Sequence, residues 1–139
     1  MLNDKIIRKK TKDKGFGLFA KQKIFKNEIV WKQNKNNELV INLKQYSKLP
    51  KPFQKYFYNY GWVWGDEIIL PLDTDSFMNH SCNPNVLQNS RTVWRALRDI
   101  GAGEEITFDY ELTTTGKLIK HMKPMRCRCG STNCRKWIK

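Results

Sequence analysis

The chain has no apolar run approaching the ~20 residues that a helix needs to cross a bilayer. Its first residues, Met1-Leu2-Asn3-Asp4-Lys5, lack the roughly 7–15-residue apolar segment of a secretory signal. Neither internal repeats nor a low-complexity linker divides it. Its 139 residues therefore read as one domain, able to bury roughly two thirds of its unfolded surface. A separate basic tail is also missing: the net charge is +13, but the basic residues, mostly lysine, are scattered rather than gathered in a block. These absences predict a soluble, intracellular protein with no membrane partner. The charge itself has two readings, attraction to nucleic acid or an acidic surface and a merely lysine-rich composition.

What the chain does have is four cysteines in an uneven arrangement. Cys82 stands alone within Asn79-His80-Ser81-Cys82-Asn83-Pro84-Asn85, while Cys127, Cys129 and Cys134 crowd near the C-terminus. Inside a cell thiols stay reduced, and clustered cysteines there more often bind metal than form disulfides. One distant thiol and a tight trio add up to four soft ligands, the set of a tetrahedral structural Zn²⁺ with no open position. Arg126, Arg128, Arg135 and Lys136 flank the ligands and would offset the charge of about −2 that four thiolates leave on zinc. The metal would tie the polar stretch around Cys82 to the tail, and a pocket would form between them.

Local patterns predict many short strands, little helix and frequent turns. Ile6-Ile7 and Phe16 to Ala20 read as strands around a turn at Lys12-Asp13-Lys14-Gly15, and Glu28 to Lys32 as another strand. Asn27 before it suits positive φ, which asparagine tolerates better than most residues. Asn34 to Asn37 is a polar turn and Leu39 to Leu43 a strand. A helix is expected over Phe53 to Tyr58, with Pro52 near its first turn. Gly61–Gly65 and Ile68–Leu72 form a hairpin, Val93 to Leu97 alternates as a half-buried strand, and Glu105 to Phe108 is the last strand. The fold class is mainly β, a β-rich α+β domain of small sheets.

Three motifs then fall in order: Gly15-Phe16-Gly17, Asn79-His80-Ser81-Cys82, and Gly103-Glu104-Glu105-Ile106-Thr107-Phe108-Asp109-Tyr110, followed by the Cys-x-Cys-x4-Cys tail. Alone, Gly-x-Gly reads as a tight hairpin and a tyrosine at a strand end as packing. In this order they resemble the SET-domain protein-lysine methyltransferases with a post-SET zinc segment, over roughly Ile6 to Ile138. The resemblance implies a SET domain at residues 1–115 and a zinc-binding tail at 116–139, with the C-terminal segment threaded through an earlier loop as a pseudo-knot. Nothing in composition or periodicity predicts that threading.

It also implies S-adenosylmethionine as methyl donor and a lysine on a histone or other basic protein as acceptor, with a nucleosome as possible partner. Tyr110 would be the catalytic tyrosine. Phe108, where relatives carry phenylalanine or tyrosine, would leave room for a second and third methyl. Gly15, Phe16, Gly17, Asn79 and His80 match cofactor contacts; His80 read alone is a structural histidine. Trp137 either stacks over the adenine or packs on the core.

The chain departs from the pattern in places. Ser76 stands where many relatives carry an arginine. Gly61-Trp62-Val63-Trp64 lacks the second channel tyrosine, which Trp62 replaces or Tyr60 supplies from a shifted register. Residues 33–60, where relatives carry the insert that shapes the peptide groove, align with no recognisable motif, and no pre-SET cysteine cluster is present. A catalytically silent SET-like binding module is the alternative this leaves. A small zinc module for nucleic acid is a third reading, but Cys-x-Cys-x4-Cys fits no common nucleic-acid finger.

Overall fold

The computed structural model describes residues 1–112 and 124–138. The boundary expected between residues 115 and 116 lies outside these. Chain order is β1 (Ile6–Lys10), β2 (Phe16–Ala20), β3 (Ile29–Lys32), β4 (Glu38–Asn42), α1 (Leu43–Lys48), α2 (Lys51–Tyr60), β5 (Trp62–Trp64), β6 (Glu67–Pro71), β7 (Asn79–His80), β8 (Val86–Leu87), β9 (Val93–Ala96), β10 (Glu105–Phe108), β11 (Met125–Arg126) and β12 (Trp137–Ile138). Among the described residues the strands make small sheets, ordered β1-β2-β10-β7, β3-β9-β8 and β4-β6-β5, with β11 and β12 paired in the tail. The β-rich expectation holds.

Turn chemistry accounts for much of this. The β1–β2 hairpin turns through Gly15 at φ 77, Asn27 takes φ 67 ahead of β3, and the β5–β6 hairpin turns at Gly65 with φ 59. Pro52 sits in the first turn of α2, where its missing N–H costs no hydrogen bond. The helix runs two residues further at each end than its sequence pattern suggests. The expected strand to Leu43 is corrected: β4 stops at Asn42, and α1 starts at Leu43. Asn42 accepts from the Gln45 N–H at 2.9 Å while the Gln45 side chain accepts from the Asn42 N–H at 2.9 Å. This reciprocal capping box wins over the β-branched run before it. The tail hairpin is a further addition, since β10 is not the last strand.

The main core joins residues from the β1-β2-β10-β7, β3-β9-β8 and β4-β6-β5 sheets. Trp31, Trp62 and Trp94 meet there at ring separations of 4.8 to 5.8 Å, walled by Leu18, Ile69 and Ile106. A smaller cluster of Phe57, Val63, Ile68 and Leu70 lies under the helices. The topology places the motifs by one unusual pairing. β10 runs antiparallel to β2 but parallel to β7, with Thr107 opposite Asn79 and Phe108 opposite His80. Three segments far apart in sequence thus share one sheet, and their ends open on one side.

Candidate active site and cysteine cluster

At that edge lies a cavity of about 570 Å³, walled by Lys14, Gly15 and Phe16 from the β1–β2 turn, by Asn79, His80 and Tyr110, by Tyr60, Ser76 and Phe77, and by tail residues including Met125, Cys127 and Ile138. Its volume is in the range of small-molecule sites. The Asn79 amide donates to the Phe16 carbonyl at 3.0 Å and to Glu105 Oε1 at 2.7 Å, and Lys14 Nζ pairs with Glu105 Oε2 at 3.2 Å. These bonds pin the glycine turn to the motif strands. Gly17 is needed for close approach: a Cβ there would lie 2.7 Å from Glu105 Oε1 and 2.9 Å from Asn79 Nδ2. Lys14 and Glu105 were not singled out from sequence, although both sit inside or beside motifs that were.

Tyr110 follows β10, and its hydroxyl donates to the Met78 carbonyl at 2.9 Å. Burial pushes this phenol well above its ordinary pKa, with the Glu105 charge adding to the effect, so it stays protonated. Phe108 is not on the cavity wall; it is buried beneath Tyr110 at 4.8 Å and against Trp94 at 4.9 Å. His80 is buried, and its Nδ1 accepts the Tyr110 N–H at 3.2 Å. The proton then belongs on Nε2, which faces Cys82 Sγ at 3.3 Å. Burial lowers the basicity of the ring, Asp109 opposes this and Arg135 reinforces it, so the imidazole is neutral.

The open alternatives divide as follows. Tyr60 lines the cavity, whereas Trp62 is in the core. Ile138 reaches the cavity wall, while Trp137, paired with Arg126 across the tail hairpin, is 51% exposed and outside the core. Ser76 Oγ donates to the Asp73 carbonyl at 3.0 Å. The guanidinium near this place comes instead from Arg8 of β1, which lies 4.8 Å over Phe16 and 4.9 Å over Phe77.

The four cysteines do converge. All four are free thiols, and their sulfurs lie within 4.8 Å of one another. Cys82 and Cys127 are 3.8 Å apart, matching the separation of roughly 3.8 Å that Zn–S bonds of ~2.3 Å give in a tetrahedron. Burial pushes the Cys127 thiol up to about 12 and raises Cys82. At Cys129 burial is outweighed by hydrogen bonds from the Ser131 hydroxyl and backbone N–H groups, which hold it at about 5. A central dication would make thiolates of them all. The donor set and its spacing fit Zn²⁺, which would be held by Cys82, Cys127, Cys129 and Cys134. Backbone N–H groups of Arg135 and Lys136 point at Cys82 and Cys134 sulfurs, each at 3.4 Å, and would soften the thiolate charge.

Residues 15–111 match the SET domain family model. The chain belongs to the SET-domain family. Among relatives of this SET domain, it is 32% identical over 142 residues to human histone-lysine N-methyltransferase SETD2, covering 92% of this chain and 5% of that protein. It is 30% identical over 137 residues to the Saccharomyces cerevisiae histone-lysine N-methyltransferase, H3 lysine-36 specific, covering 90% of this chain and 18% of that protein. The SET domain thus spans a minor part of the curated relatives it matches. A crystal structure of KRYPTONITE in complex with mCHG DNA and SAH superposes with a TM-score of 0.69 at 20% identity, over 99% of this chain and 30% of that one. That likeness shows the fold. No helix among the described residues is long and apolar enough to cross a membrane.

Proposed function

We propose that this SET domain is an S-adenosylmethionine-dependent protein-lysine N-methyltransferase acting on lysines of histones or similar basic proteins. The observation that carries the reading is the convergence of Tyr110, Asn79, His80 and the Gly15-Phe16 turn on one cavity that the cysteine tail closes. Gly15-Phe16, Asn79 and His80 would hold the cofactor, with Tyr60 beside them. When bound there, S-adenosylmethionine supplies a methyl group made electrophilic by its sulfonium.

The chain's own residues then have two tasks. A substrate lysine of pKa ~10.4 must be presented neutral, and a wall of Tyr60, Phe77 and Tyr110 excludes water and favours that form. The amine must also be aimed, and the Tyr110 hydroxyl with the Met78 carbonyl it contacts offers fixed oxygens for weak C–H···O contacts at the reacting methyl. Tyr110 is an orienting group, because its raised pKa leaves it no capacity to take a proton at neutral pH.

The testing experiment is methyl transfer from radiolabelled S-adenosylmethionine to free histones, nucleosomes and a whole-cell extract. Label entering protein lysine is the expected result. Cofactor binding without transfer to any of these would favour a silent binding module, and no cofactor binding would overturn the proposal. Phe108 carries a separate prediction about product. Its ring is buried under Tyr110 and off the cavity wall, so a hydroxyl added by Phe108→Tyr acts on the pocket by crowding Tyr110 and should shift the product toward monomethyl-lysine. Mass spectrometry checks this, and an unchanged distribution of methylation states would refute it.

A further inference from the structure

Arg135 directly follows the last cysteine, yet its side chain leaves the cluster. Its Nη1 donates to Asp109 Oδ2 at 2.8 Å and its Nη2 to Asp109 Oδ1 at 2.6 Å, and Nε lies 3.4 Å from Glu111 Oε2. Asp109 and Glu111 are the two neighbours of Tyr110, so one guanidinium holds the chain on both sides of it. The Asp109 carboxylate is buried and also accepts the Glu111 N–H at 3.1 Å. Burial pushes its pKa up, but the Arg135 fork and the other donors outweigh this and keep it ionised. A second arm reaches the same point: the Tyr110 N–H donates to His80, whose other nitrogen faces Cys82. Both arms end at the cysteine cluster, one through Cys82 and the other through the residue bonded to Cys134.

We propose that Arg135 is a positioning residue, which through its clasp on Asp109 and Glu111 makes the placement of Tyr110 depend on assembly of the cysteine cluster. The proposal rests on the methyltransferase reading only where turnover is measured. Its physical basis is geometric. A planar fork matched to a buried carboxylate fixes orientation, which a lysine ammonium cannot reproduce. Tail order, set at the metal, is thereby passed to the tyrosine backbone rather than only to the cavity wall. A plain structural role makes a different forecast, since a clasp that merely folds the tail would be lost together with metal and cofactor.

The test uses the zinc-loaded wild type, Arg135→Lys and Asp109→Asn. Zinc content, cofactor Kd, kcat and amide exchange of the Tyr110 N–H by NMR are measured on each. The expected outcome is zinc content unchanged, Kd within about threefold, Tyr110 exchange faster by about tenfold or more, and kcat lower by roughly 10- to 100-fold, the scale that a small misplacement of a reacting-site group produces. The double variant should lose much less than the product of the two single losses, because both substitutions break the shared Arg135–Asp109 fork. Unchanged Tyr110 exchange in both single variants would overturn the proposal. So would zinc and cofactor lost in proportion to turnover. Tyr110 exchange needs no substrate, so it decides the clasp even if the wild type transfers no methyl, a result that would count against the enzymatic reading alone.

Discussion

Tyr110→Phe should lower kcat for methyl transfer by roughly 100- to 1,000-fold, the usual scale for removing one preorganised polar group from a reacting centre, while cofactor Kd stays within about threefold. The substitution keeps the ring that packs on Phe108 and His80 at 4.8 and 5.2 Å, so the sheet edge retains its shape. It removes the hydroxyl that donates to the Met78 carbonyl, at a stability cost of about 1 kcal/mol. The pH dependence distinguishes orientation from base catalysis. Burial, with Glu105 adding, raises the phenol above its ordinary pKa of ~10. Tyr110 therefore remains protonated across the working range, and the wild-type kcat profile should show no limb assignable to its ionisation below about pH 10. Turnover of the phenylalanine variant within threefold of wild type would remove Tyr110 from the chemistry.

Stripping the metal should disorder the tail hairpin and weaken cofactor binding by about tenfold or more, because ligand organisation and local folding share one free energy there. Met125, Cys127 and Ile138 form a wall of the cavity, and the sulfurs hold that wall to Cys82. The Asn133 amide also donates to the Cys82 carbonyl at 3.2 Å, but one hydrogen bond worth about 1 kcal/mol cannot replace four metal–sulfur bonds. The tryptophan core and the β1-β2-β10-β7 sheet do not depend on the metal, so the main unfolding transition should move little. Zinc affinity should fall steeply with falling pH, since Cys82 and Cys127, whose thiols burial raises, must lose protons to bind. Zinc release followed colorimetrically, with calorimetry of cofactor binding before and after, checks both claims. A chelated protein with zinc gone and Kd unchanged would separate the tail from the cofactor site.

The order of motifs and the cysteine inventory already specify the family, because each requires particular residue types rather than a general hydrophobic pattern. Turns were also readable, since Gly15, Asn27 and Gly65 take left-handed φ values that few other residues tolerate. The Asn42–Gln45 capping box was equally visible as a spacing, but a run of apolar residues in β4 obscured the helix start. β7 and β8, two residues each, are too short to leave a periodic signal.

Other features needed the folded chain. Tyr60 and Trp62 are two residues apart and both aromatic; only the helix end between them sends one to the cavity and the other to the core. The same holds for Trp137 and Ile138, where strand alternation separates neighbours but pairing with β11 decides which side faces inward. The parallel contact of β7 with β10 joins residues 79–80 to 107–108, and the Arg135 fork joins 135 to 109. Such partners are chosen by distance in space, which no local period along a chain encodes. Residue chemistry thus sets what this protein can bind, and long-range packing determines which side chains meet to do it.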